Sequence, residues 1–150
     1  MEHQPPRSAW QRKVDTLLRL DADADAWVAS ADPDGGPYLV PLSFLWDGET
    51  LTLSTPELSP TSRNLQATGR VRIALGTTRD VVLIEGTVEV FTSQDVPGDL
   101  ADAFAAKLWD ARIGATPYAY FRITPQLIQA WREENELRGR DLMRDGSWLV

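Results

Sequence analysis

Tyr38-Leu39-Val40-Pro41-Leu42-Ser43-Phe44-Leu45-Trp46, followed by Asp47-Gly48, is apolar on both of its alternating faces. Tyr38, Val40, Leu42, Phe44 and Trp46 share one face, and Leu39, Pro41, Ser43 and Leu45 the other. A strand covered on both sides suits a barrel wall. Pro41 has no N–H for a ladder, so the strand should meet an edge or an opening there. Asp47-Gly48 is a tight hairpin signal that returns the chain into a strand over Thr50 to Ser54. Upstream, Asp32-Pro33-Asp34-Gly35-Gly36 turns a strand over Trp27 to Ser30 into this one, antiparallel.

Working outward, Trp10, Val14, Leu17 and Leu18 fall on one face of a helix from about Ala9 to Arg19. Residues 1–8 read as a loose, disordered tail. Downstream, Ser59 can cap a helix, Pro60 suits its first position, and Gly69 ends it. Val71, Ile73 and Leu75 alternate with Arg72, Ala74 and Gly76 in a fourth strand. Val81 to Phe91 is a long fifth, and Pro97 to Trp109 an amphipathic helix. Tyr118 to Ile123 and Leu127 to Arg132 read as two strands, and Ser147 to Val150 as a last short one. Glu133 to Arg144 gives no clear assignment, and the run Arg132 to Glu136 reads as solvated. The order predicts one domain over residues 1–150, mainly β with peripheral helices: an antiparallel split β-barrel.

Composition narrows the chemistry. The chain has no cysteine, and its only histidine is His3, so thiol chemistry and histidine-based catalysis have almost nothing to work with and no metal site is expected. A net charge of −7 argues against nucleic-acid binding. No apolar run approaches membrane-span length, so no membrane partner is expected, and a cytoplasmic location is the default. Eight acids and no base lie between Asp21 and Glu57, whereas Leu58 to Arg79 holds Arg63, Arg70, Arg72 and Arg79 and no acid. That acid-free segment suggests a local anion site. The plain alternative is a solvated helix followed by a strand with outward arginines.

The anion site can be placed. Thr55, Ser59, Thr61 and Ser62 offer hydroxyls beside a helix start, whose free N–H groups and dipole favour phosphate. Arg63 adds a guanidinium for a charge-assisted contact. Ordinary capping uses the same residue types. Trp46, Trp131 and Trp148 are candidate walls for a ring, against core or dimer packing as the commoner use. Tyr118 and Tyr120 share a face. Glu85 stands among apolar residues, and Asn135 is a lesser candidate.

The ordered set Gly36 to Phe44, Asp47-Gly48, Leu53-Ser54-Thr55, Ser59, Arg63-Asn64-Leu65, Arg70-Val71 and Ile84-Glu85-Gly86 resembles the pyridoxamine 5'-phosphate oxidase-like family of flavin-binding split barrels. The likeness resumes at Ile123-Thr124-Pro125 and Ile128-Gln129-Ala130-Trp131, and covers about residues 27 to 132. The resemblance implies that Val40, Pro41, Leu42 and Ser43 run along an isoalloxazine ring. It implies that Thr55 and the segment Ser59, Thr61, Ser62, Arg63 and Asn64 hold the ribityl chain and phosphate of FMN. It implies a homodimer with the cofactor at the subunit interface and hydride transfer to or from a small organic substrate. Relatives using F420 or haem belong to the same group, and with His3 the only histidine haem ranks low. Where the oxidase has Ser-Arg-Lys, this chain has Ser59-Pro60-Thr61. Both phosphate-binding bases are missing, which leaves room for F420, with Arg70, Arg72 or Arg79 as substitutes if they point inward. A flavin carrier or sensor without turnover is the non-enzymatic alternative. No catalytic residue is identified.

Overall fold

The computed structural model describes residues 4–150, so His3 lies outside the described residues. Helix α1 (Ala9–Ala22) starts at Ser8, whose hydroxyl accepts from the Gln11 N–H at 3.0 Å. Strands β1 (Asp25–Ala31) and β2 (Pro37–Trp46) are joined by the Asp32 turn, in which one carboxylate oxygen accepts from the Asp34 and Gly36 N–H groups. β3 (Leu51–Pro56) follows the Asp47-Gly48 hairpin, and α2 (Pro60–Thr68) runs from its Ser59 cap to Gly69. Gly69 takes the left-handed conformation (φ 66°) that closes a helix without Cβ strain. β4 (Arg70–Thr77), β5 (Asp80–Thr92), α3 (Gly98–Lys107) and β6 (Tyr118–Trp131) complete the main body. β7 (Asp141–Arg144) and β8 (Ser147–Trp148) are joined by Asp145 and Gly146, both at positive φ, as a two-residue hairpin of that type requires. Among the described residues no helix is long and apolar enough to cross a membrane.

The strands run in the order β3-β2-β1-β4-β5-β6-β7-β8, and β3 also pairs with β6. That closes six antiparallel strands into a barrel and leaves β7 and β8 as an outer extension of β6. Inward residues, including Val28, Phe44, Leu53, Ile73, Phe121 and Ile128, fill it and are fully buried or nearly so. A smaller core of Ala101, Phe104, Ala111 and Tyr120 lies under α3.

Three expectations change. The two strands expected at 118–123 and 127–132 are one continuous β6. Pro125, which should break it, pairs with Gly86 where the β5 register shifts between Glu85 and Gly86. A Cβ on Gly86 would stand 2.7 Å from the Thr124 carbonyl oxygen, so only glycine allows this approach. Residues 4–8, expected in a loose tail, are held: Arg7 bonds Glu136 and Asp15, and the Gln4 carbonyl accepts from Asn135. Glu136, expected in a solvated run, is 3% exposed and accepts from the Arg7 guanidinium and from the Arg132 N–H. It closes a short 3-10 turn, Glu134–Glu136.

Candidate functional site

The opening expected at Pro41 is present. β2 pairs with β1 from Pro37 to Ser43, and with β3 only from Phe44 to Trp46. Continuing that register would set Pro41 against Pro56, two residues without an N–H, so no ladder hydrogen bond could form at that pair. β3 peels away to pair with β6, Thr55 opposite Ala119. The split exposes one backbone edge of Val40 to Ser43, and α2 begins just past Pro56.

Around the split the expected residues fall into two groups. Thr55 and Ser59 meet, their hydroxyls 3.2 Å apart, and the Ser59 hydroxyl also accepts from the Ser62 N–H at 3.1 Å. Ser43 donates to Asp25, its partner across the β1–β2 ladder, at 2.7 Å. Thr61 and Ser62 are buried; Ser62 accepts from Gln66, which fixes it as a helix-packing hydroxyl. Asn64 is buried and donates to Ser30 at 3.1 Å, tying α2 to β1. Arg63 is exposed and lines a groove of about 490 Å³ between α2 and the Asp32 turn, with Tyr38, Pro37 and Pro60. Asp32 shares that groove and partly offsets the arginine's field. Thr55 and Ser59 share one hydrogen bond and so keep one O–H between them for an anion; with the exposed Arg63 this fits a phosphate at reduced strength compared with a site carrying two more bases.

The other arginines do not point inward. Arg70 and Arg72 lie on the outer face of β4 and share Glu85, at 3.0 and 2.8 Å, and Arg79 pairs with Glu133 at 3.0 Å. The alternation of Val71, Ile73 and Leu75 toward the core forces this, since a strand sends neighbours to opposite faces. Glu85 is thus a partnered surface carboxylate, held below its ordinary pKa first by the Arg72 hydrogen bond and then by that of Arg70.

Trp131 lies at the far end of β6 from Ala119 and so does not meet Ser59 within one subunit. It pairs with Val81 on the outer sheet face, with the Arg140 guanidinium 5.3 Å from its ring. That face, carrying Trp27, Leu39, Leu83, Gln129 and Trp131, has no helix over it, and Trp27 and Leu39 are 50% and 60% exposed. Tyr118 and Tyr120 do share a face, but both pack under α3 against Trp109 and Phe104. The Tyr120 hydroxyl is buried without a partner, and burial pushes its pKa up. Trp46 belongs to the barrel core, and Trp148 packs against that core with the Lys13 ammonium over its ring. Sequence reasoning missed Asp25, the Ser43 partner, because nothing in its local pattern marks which residue faces it across the ladder.

Residues 19–132 match the family model described as pyridoxamine 5'-phosphate oxidase. No curated protein matches the chain. Among solved structures, an F420 reductase is 19% identical, with a TM-score of 0.59 over 74% of this chain and 93% of that one. A conserved hypothetical protein from Mycobacterium tuberculosis is 18% identical, with a TM-score of 0.66 over 90% and 91%. The heme storage protein HutZ from Vibrio cholerae is 13% identical, with a TM-score of 0.62 over 77% and 90%. Identities this low establish likeness of fold alone.

Proposed function

The chain belongs to the pyridoxamine 5'-phosphate oxidase family, and on that premise we propose that it binds FMN, or the deazaflavin F420, as an oxidoreductase acting on a small organic molecule. The observation that carries this reading is the proline-flanked split. Its open β2 edge offers backbone hydrogen-bonding groups to a planar ring, next to the Thr55, Ser59 and Arg63 donors for a phosphate. When bound, the cofactor supplies the hydride chemistry. The protein's own residues do the rest: the β2 edge orients the ring, the Thr55–Ser59 pair donates its free O–H to the phosphate, and Arg63 neutralises part of its charge.

The reading includes a homodimer. Trp27 and Leu39 stand on an uncovered sheet face of the kind that marks an interface. Within one subunit Trp131 does not reach the split, so a role for it there needs a second copy. Leu39→Asp should therefore raise the dimer dissociation constant at least about 30-fold, the effect of losing a central apolar contact. Analytical ultracentrifugation decides it; an unchanged sedimentation profile places the interface elsewhere.

Titration of the purified protein with FMN and with F420, followed by absorbance between about 350 and 450 nm, tests the cofactor. Failure of both to bind at micromolar concentration sinks the reading. Arg63→Ala should weaken binding by about 1.5–3 kcal/mol while the dimer persists. Equal affinity in the variant assigns the phosphate to another group. A flavin carrier without turnover is the second reading, favoured by the packing of Tyr118 and Tyr120 against Trp109 and Phe104, which occupies both rings under α3. Steady oxidation of the anaerobically reduced cofactor by any organic acceptor excludes it.

A further inference from the structure

On the outer sheet face, Ala29, Ser30 and Ala31 of β1 and Arg70, Arg72 and Glu85 line a groove of about 360 Å³, within the size range of small-molecule sites. Ala29 pairs directly with Arg72, and Arg72 with Glu85, so floor and charges are fixed by the ladder. Two guanidiniums share one carboxylate, each through a single Nη2. A guanidinium has five N–H donors in a planar fork, so most remain free. The groove therefore carries a net charge of +1. The two alanines leave a shallow apolar bed where larger side chains would fill the space.

We infer that this groove binds a planar monocarboxylate, its ring on Ala29 and Ala31 and its carboxylate on Arg70 and Arg72. On the flavin reading proposed above, on which this second step rests, the groove anchors the organic substrate. A single negative charge neutralises the site, and a flat carboxylate matches a guanidinium fork bidentately, which an amine or a neutral amide does not. Glu85 is ionised at neutral pH, because both arginines hold its carboxyl low. It therefore competes with the ligand for the same donors. Arg70 and Arg72 are 76% and 59% exposed in one subunit. Water screens such charges strongly, so closure of a second copy over the face should strengthen the site.

Isothermal titration of the dimer with benzoate and with benzamide tests this. Benzoate should bind at least tenfold more tightly than benzamide. Arg72→Ala combined with Arg70→Ala should weaken benzoate at least tenfold. Glu85→Gln, nearly identical in shape, should tighten it severalfold by freeing both guanidiniums; a merely structural ion pair predicts no gain. Equal binding of benzoate and benzamide, or no tightening in Glu85→Gln, overturns the inference. FMN and F420 titrations on the same variants separate the two readings. If neither cofactor binds but benzoate behaves as described, the substrate role falls and the carboxylate groove stands. If a cofactor binds and benzoate does not, the groove assignment falls alone.

Discussion

Replacing Glu136 with glutamine should cost about 3 kcal/mol at neutral pH and flatten the acid end of the stability profile. Glu136 accepts from the Arg7 Nη2 at 2.8 Å, the Arg7 Nε at 3.0 Å, the Arg7 N–H at 2.8 Å and the Arg132 N–H at 2.8 Å. Four donors converge on two oxygens, and the amide of glutamine can replace only one of them with an acceptor. The Arg7 hydrogen bond, acting against the opposing effect of burial, holds the Glu136 pKa at about 2 instead of 4.5. A carboxyl lowered on folding stabilises the native state above its unfolded pKa. That contribution is complete above about pH 5 and is lost as pH falls from 4.5 through 2. A shift of that size corresponds to about 3 kcal/mol. Urea unfolding at pH 7 and near pH 3 measures it. The wild type should lose clearly more stability between the two than the variant, and parallel losses would refute the assignment. The same contacts dock the start of α1 against the 3-10 turn, so amide exchange in α1 should rise in the variant.

Phe121→Ala should cost about 3–5 kcal/mol, the usual effect of emptying a large core position. For a chain of this length that lowers the melting temperature on the order of 10 °C. Phe121 is fully buried and pairs with Leu53 across the β3–β6 seam that closes the barrel. Calorimetry checks the size; a loss below about 1 kcal/mol would mean that neighbouring side chains collapse into the space. The site depends on this seam as well. β3 carries Thr55 and leads into Ser59, so loosening its pairing with β6 should also weaken cofactor binding. Leu53→Ala, from the other strand, should act in the same direction.

Much of this was legible along the chain. The Ser59-Pro60 start and Gly69 end of α2, and the Asp47-Gly48 hairpin, are local backbone chemistry, and they stand where the residues predicted. The alternation of β4 gave outward arginines as one of two readings, and Pro41 marked an edge or an opening. What the chain alone could not supply is the identity of the facing residue. Pro125 sits inside β6 because Gly86, on another strand, bulges and lacks a Cβ. Glu136 is buried because Arg7, 129 residues away in sequence, reaches it. The outward Arg70 and Arg72 find Glu85, and the split opens where β3 leaves β2 after Leu53 while keeping its pairing with β6. Turns and caps were determined by the sequence itself, since a residue and its neighbours fix their own φ and hydrogen bonds. Bulges, ion pairs and the opening of the barrel were decided only by the tertiary structure, since each needs two distant segments to meet in one register.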